Sequence, residues 1–297
     1  MVVSLDLRRR NLRRICAGGL AAAAALALAA CIVLPGEFAT TLNLRKDGHF
    51  TYTYQGKLVL LGLSRIAETM LKAKPAAAFE ASTCFKDDEE AERPCTKAEL
   101  ATQREDWDTA QAAAAKKRQS DLADFRRVFG GIDPTDPKAA AELTDRLSHQ
   151  AGWKRVVYKG GGIFDVDVKI TGMMDRDFAF PTIERMPGVL PFLAANRRNT
   201  AEVRIDSPLM QYAGLGSAGG AAMQVFAREK AGLGADGSNP WAEFPQTNGH
   251  FTLITDGVIL SNNTEHGPKS VAGGKQLDWD INGTTLIAPM ALIGLAK

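Results

Sequence analysis

The chain has 297 residues, with 36 Lys+Arg against 34 Asp+Glu, 45% hydrophobic residues, 28 Gly, 13 Pro and 4 Cys. This is ordinary globular composition and excludes collagen-like, disordered and multi-span membrane chains. Five arginines (8, 9, 10, 13 and 14) and Asp6 fall in the first 30 residues, leaving 31 basic against 33 acidic residues in the rest, so the body lacks the basic excess of a nucleic-acid partner.

In chain order, the arginines lead into an uncharged, Ala-rich run from Ile15 to Ala30, the charged and apolar regions of an export signal. The run ends Leu28-Ala29-Ala30-Cys31, which resembles the lipobox of bacterial lipoproteins. The resemblance implies that Cys31 receives diacylglyceryl on its thiol and that residues 1–30, the signal peptide, are removed. The acyl chains then hold the protein on a membrane, at about 0.8 kcal/mol per buried methylene. Ile32, where an Asp would mean inner-membrane retention, implies by the same resemblance the outer membrane, facing the periplasm. The competing reading is an uncleaved anchor, because Ile15 to Leu34 is a run of 20 uncharged residues. Against it, Ala and Gly dominate the run and Pro35-Gly36 stops any helix soon after Cys31. Residues 8–13 are also similar to a twin-arginine signal with Asn11 where Phe is usual, so both export routes stay open.

With Cys16 in the signal and Cys31 lipidated, Cys84 and Cys95 remain, and two leftover cysteines outside the cytosol read as one disulfide. Closing so short a loop is worth a little under roughly 3 kcal/mol by the chain-entropy model. The competing metal pair lacks a neighbouring His or Cys, and the acidic run Asp87 to Glu92 lacks the Gly-punctuated alternation of a calcium loop. No metal or cofactor is expected.

Phe38, Thr40, Leu42 and Leu44 alternate with polar neighbours, and after Arg45-Lys46-Asp47-Gly48 the alternation resumes at Phe50, Tyr52 and Tyr54, a β-hairpin signal. Leu58 to Leu63 extends it, and a short helix is expected from Ser64 to about Lys72. Thr96-Lys97-Ala98-Glu99 is a capping box that opens a helix lasting until Gly130-Gly131, close to 50 Å at about 1.5 Å per residue. Leu100, Trp107, Ala114, Leu122, Phe125 and Phe129 recur near helical spacing along it. Asp136-Pro137 predicts the start of a second helix to about Gln150, with Leu143 and Leu147 as its buried stripe. The two make an expected helical hairpin that either packs across the sheet or protrudes as a partner-binding arm.

Strands return from Trp153. Phe164, Val166, Val168 and Ile170 face one way while Asp165, Asp167, Lys169 and Thr171 face the other. Further strands are expected at 178–183, 189–196, 201–205, 277–281 and 286–295, with a second hairpin of 251–255 and 258–260 around Asp256-Gly257 and a helix at 221–230 inside a Gly-rich stretch. Asp47-Gly48-His49-Phe50-Thr51 and Asn248-Gly249-His250-Phe251-Thr252 repeat one turn-into-strand pattern.

Chemistry-bearing motifs are weak. Gly214-Leu215-Gly216-Ser217-Ala218-Gly219 fits G-x-G-x-x-G, but Ser207-Pro208 separates it from the preceding strand, and Ser217 does not sit in G-x-S-x-G. His49, His149, His250 and His266 show no H-x-x-x-H spacing, and Asp165, Asp167, Asp175 and Asp177, with Glu184 nearby, are the densest carboxylates. A hydrolase would need such carboxylates, or His266, gathered in a cleft.

Taken whole, the sequence resembles a group of exported proteobacterial lipoproteins through Leu34-Pro35-Gly36-Glu37-Phe38, residues 42–50, Asp177-Phe178-Ala179-Phe180-Pro181 and residues 251–264. That resemblance brings no activity and no functional residue beyond Cys31. The expected fold is α+β: residues 31–297 as a single domain, with an antiparallel sheet from 36–63 and 151–295 and the disulfide-pinned helical hairpin inserted at 64–150. The expected function is a non-enzymatic, membrane-anchored envelope lipoprotein that binds a partner protein or an amphiphilic lipid. A periplasmic hydrolase using Asp and His is the alternative.

Overall fold

The computed structural model describes residues 33–64, 78–85, 92–186, 188–199, 201–213, 247–282 and 287–295. The lipobox with Cys31, the expected short helix after Ser64, the Gly-x-Gly motif with Ser217 and the expected helix at 221–230 lie outside them, wholly or almost so.

Strong alternation makes β1 (Val33–Leu44) and β2 (His49–Leu60) a long antiparallel hairpin, with Leu44 opposite Phe50. Gly48, at φ +91°, donates its N–H to the Arg45 carbonyl at 2.9 Å and closes the turn. A single 3-10 turn, Leu61–Leu63, follows β2. A two-stranded ribbon of β3 (Cys84–Phe85) and β4 (Glu92–Arg93) leads into α1 (Lys97–Val128), then α2 (Ala139–His149). β5 (Trp153–Gly160) and β6 (Ile163–Met173) form a second hairpin. The rest is β7 (Phe178–Phe180), β8 (Leu193–Asn199), β9 (Glu202–Asp206), α3 (Pro208–Ala213), β10 (Asn248–Thr255), β11 (Val258–Asn262), β12 (Lys269–Val271), β13 (Gly274–Asn282) and β14 (Met290–Gly294).

The fold is mixed α/β and mostly sheet, but apart from the β3–β4 ribbon the described strands divide between two sheets where one was expected. The first has the order β12-β13-β10-β1-β2-β6-β5 and the second β11-β14-β9-β8-β7. The first is not purely antiparallel, because β1 pairs with β10 in parallel, Glu37 opposite Asn248 through Leu44 opposite Thr255. The expected hairpin around Asp256-Gly257 is a corner between sheets. β10 pairs with β1 and β13, whereas β11 pairs with β14. Asp256 is tied to the β1–β2 turn, accepting the Lys46 N–H at 2.6 Å and pairing with Arg45 at 2.7 Å, so the chain leaves the first sheet there.

The inner faces of the two sheets make one continuous core. Phe38, Leu42, Tyr52, Tyr54, Phe164, Val166, Phe251 and Leu253 come from the first, and Phe180, Val203, Ile205, Ala291 and Ile293 from the second. Aromatic rings bridge the layers: Phe38 meets Phe192 at 4.9 Å between centroids, and Tyr52 and Tyr54 each meet Phe180 at 5.0 Å. Such contacts contribute beyond area burial by about 0.5–1.5 kcal/mol per pair. α2 packs on β5 with Leu143 and Leu147 fully buried, and Phe125, Phe129 and Ile132 complete the core there.

The helical hairpin is not evident. No residue of α1 from Lys97 to Asp124 is buried, and the two helices do not pair along their lengths. The physical reason is that α1 is polar all round, with Ala110 and Ala112 to Ala115 in its middle. Ala propensity and the pairs Arg104–Asp108 and Lys117–Asp121 support it without a packed face. α2 begins two residues after Pro137, at Ala139, because Asp136 caps a preceding turn, its carboxylate accepting the Lys138 N–H at 2.8 Å.

Candidate functional site

α1 and the segment at its N-terminus present a long exposed surface fixed at both ends. At about 1.5 Å per residue its 32 residues span roughly 48 Å. Its root is Phe125, 1% exposed, and Phe129, fully buried, with rings 5.4 Å apart. Gly62 makes room for them: a Cβ there would lie 2.8 Å from the Phe129 ring and 2.9 Å from that of Phe125.

The opposite end is locked by five devices. The disulfide expected between Cys84 and Cys95 is present, with Cα atoms 5.2 Å apart. The capping box is present in both directions: Glu99 N–H donates to Thr96 Oγ1 at 3.3 Å, and Thr96 N–H to Glu99 Oε2 at 2.8 Å. Arg93 binds Glu99 in a fork, at 2.8 and 2.6 Å. The Arg93 guanidinium and the Thr96 donors hold the Glu99 carboxyl down at about 2. Gln103 clamps the Ser82 backbone, accepting from its N–H at 2.8 Å and donating to its carbonyl at 3.2 Å. Arg104 lies over the rings of Phe79 and Trp107, 5.2 and 5.3 Å from their centroids. Beside this locked tip, Phe85 is 51% and Leu100 37% exposed.

Comparison with protein-family models, curated proteins and solved structures finds no match to this chain. The site therefore stands on its geometry.

The carboxylates singled out in the sequence do not converge. Asp165, on the outer face of β6, pairs with Arg155 at 2.9 Å, and that guanidinium holds its carboxyl below the usual range, opposite to the raised pKa of a general acid. Asp167 lies two residues along the same face. Asp175 is exposed in the turn after β6, and Asp177 accepts the Arg197 backbone N–H at 2.8 Å. Glu184 lies beside Arg185. Among the histidines, His49 pairs with Asp47, His149 bonds the Asp145 carbonyl, and His266 is exposed in its loop. The two Gly-His-Phe repeats solve different problems. Gly48 makes a turn, whereas Gly249 lies inside β10 where the Phe38 ring would sit 2.4 Å from a Cβ.

One cluster was missed. On the outer face of the first sheet His250 stands opposite Asp280, and Thr252 opposite Asp278. His250 Nδ1 is 2.6 Å from Asp280 and Nε2 3.2 Å from Asp278, which also accepts from Gln276, Thr252 and Lys269. Partial burial works against a charged imidazole, but the two carboxylates outweigh it and raise the His250 pKa. Period-two alternation in β10 and β13 marks His250, Thr252, Gln276, Asp278 and Asp280 as outward-facing. Their meeting depends on the β10–β13 register, which no local signal encodes. Thr252 donates to Asp278 and is not aimed at the imidazole, so the cluster presents no activated nucleophile. Among the described residues no group of three His, Cys, Asp or Glu is placed to hold a metal ion.

An open depression of about 250 Å³ lies on the outer face of the second sheet, between Arg198 and Arg204 over Met290 and Leu292. It falls below the roughly 300–1,000 Å³ of clefts that enclose small ligands.

Proposed function

We propose that this protein is a lipid-anchored, non-catalytic binding module of the bacterial envelope, and that α1 with its disulfide-locked tip is the arm that engages a partner protein. The observation that carries this reading is the contrast within α1. A helix about 48 Å long is rooted by two phenylalanines and locked at its far end, yet no residue between Lys97 and Asp124 is fully buried. A rod that contributes little to the core and is held straight at both ends suits presentation of a surface at a distance. The exposed Phe85 and Leu100 at its tip supply the apolar and aromatic contacts that anchor protein interfaces. The membrane half of the proposal rests on the lipobox-like run ending at Cys31.

Two measurements test it. Palmitate labelling should mark the wild type and not Cys31→Ser, and equal labelling contradicts the anchor. In gel filtration of detergent-extracted protein, the wild type should elute in a larger complex than Leu100→Asp with Phe85→Ser, while Thr53→Lys on the outer sheet face should elute as wild type. Identical elution of the tip variant and the wild type contradicts the arm.

The amphiphile-binding reading is not favoured, since α1 does not lie across a sheet to roof a cavity. The hydrolase reading is not favoured either, since Asp165, Asp175 and His266 lie apart.

A further inference from the structure

We infer that the protein sits directly on the lipid surface, with the Val33 end of its first sheet pressed against the headgroups. This rests on the proposed lipidation of Cys31 and goes beyond it by fixing which face of the body meets the bilayer. Chain length fixes the distance. A single residue, Ile32, separates Cys31 from Val33. Val33 is no tether: it is 1% exposed, it is the first residue of β1, and it stands opposite Leu60 in the β1–β2 ladder. Two residues of fully extended chain reach at most about 7 Å. The headgroup layer on each side of a bilayer is itself roughly 5–8 Å thick. Acyl chains on Cys31 therefore bring Val33 to the headgroups, with no free chain to spare.

Lifting the body away would mean unzipping β1 from its buried end. A further 13 Å of clearance needs about four residues at roughly 3.3 Å each. These would be Val33 to Gly36, breaking the pairings of Val33 with Leu60, Leu34 with Val59 and Pro35 with Leu58. It would also free the Pro35 carbonyl from Thr247 Oγ1, which donates to it at 2.8 Å.

The surface that arrives at the membrane follows from the register. Leu60 donates its N–H to the Gly162 carbonyl at 2.8 Å, and Gly160 stands opposite Ile163, so the β5–β6 turn lies at the Val33 end, three strands and about 14 Å away across the sheet. Among the described residues, Cβ atoms built on Gly160 and Gly161 of this turn would meet nothing within 4 Å. Beside it on edge strand β5 stand the exposed Lys159 and the partly exposed Tyr158 and Val157, each of the latter 37% exposed. A basic side chain with an aromatic ring and an aliphatic neighbour is the composition of an interfacial contact, apolar atoms toward the acyl boundary and charge toward phosphate. The other end of the sheet, with the Arg45–Gly48 turn, lies about 40 Å away along the twelve residues of β1.

Mature protein isolated from membranes tests this, with Lys159→Cys or Lys46→Cys as the attachment site for a fluorophore. Cys84 and Cys95 are bonded to each other, and Cys31 is acylated under the reading this rests on. In phosphatidylcholine vesicles carrying headgroup-quencher lipid, the dye at Lys159 should lose most of its emission and the dye at Lys46 should lose none. Inserting a twelve-residue Gly/Ser linker between Ile32 and Val33 should relieve the quenching at Lys159. Protein that floats with the vesicles but is quenched equally at both positions overturns the direct seating and leaves the anchor standing. Protein that does not float and carries no acyl mass overturns the anchor, and the seating with it.

Discussion

Phe125→Ala separates the root of α1 from its exposed length. The Phe125 ring is 1% exposed, lies 5.4 Å from the Phe129 ring and touches the chain at Gly62, where the Cα hydrogen leaves only room for glycine. Removing it deletes a fully buried aromatic side chain and leaves a void that Gly62 cannot fill, a cost of about 3–5 kcal/mol. For a domain of this size that corresponds to a fall of roughly 6–20 °C in Tm. Leu100→Ala, at the opposite end of the same helix and 37% exposed, should stay within about 0.5 kcal/mol of wild type. The assay is a thermal melt of each variant followed by near-ultraviolet circular dichroism. A Leu100→Ala melt as low as that of Phe125→Ala would mean that the whole helix packs on the body, and the account of α1 as an exposed rod would be refuted.

Reduction of Cys84–Cys95 should remove the loop-closure stabilisation from the segment at the start of α1 alone, increasing proteolytic cutting between residues 78 and 100, while the global melt, set by a core cluster to which neither residue belongs, stays unchanged. Thr96→Ala should speed amide exchange in the first turn of α1 without lowering the global Tm. Because the Glu99 carboxyl is held at about 2, below its ordinary value, the lock it provides is present at neutral pH and is lost only as pH falls through that value. Amide protection at Leu100 followed down to pH 2 checks this. His250 has a raised pKa, so its ionic contribution is complete below the ordinary histidine value and is lost as pH rises through the folded one. Its ring protons should titrate above the ordinary midpoint in wild type and nearer to it in Asp278→Asn.

Local signals carried much of this architecture. Alternation and Asp47-Gly48 located the first hairpin, the capping box located the start of α1 to the residue, and cysteine arithmetic located the disulfide. What local signals could not carry was partnership between distant elements. Asp256-Gly257 has the same turn chemistry as Asp47-Gly48, yet one is a hairpin and the other a corner, because β10 pairs on both edges with the distant β1 and β13, leaving β11 to pair with β14. The parallel pairing of β1 with β10 joins residues more than 200 apart in the chain. The helical stripe misled for a related reason. Phe125 and Phe129 pack at the end of the sandwich, whereas Trp107 packs on the neighbouring Phe79 and Leu100 stays exposed. His250 with Asp278 and Asp280 was invisible because each strand alone reads as an ordinary solvated face.

The central claim is that the tip of α1, and not the sheet face, meets a partner. A photo-crosslinking amino acid placed in living cells at Leu100, at Ala113 and at Thr53 measures this directly. The account predicts a discrete adduct from Leu100, lost when Phe85→Ser is added, and no adduct from Thr53. Adducts from Thr53 with none from Leu100 would contradict it.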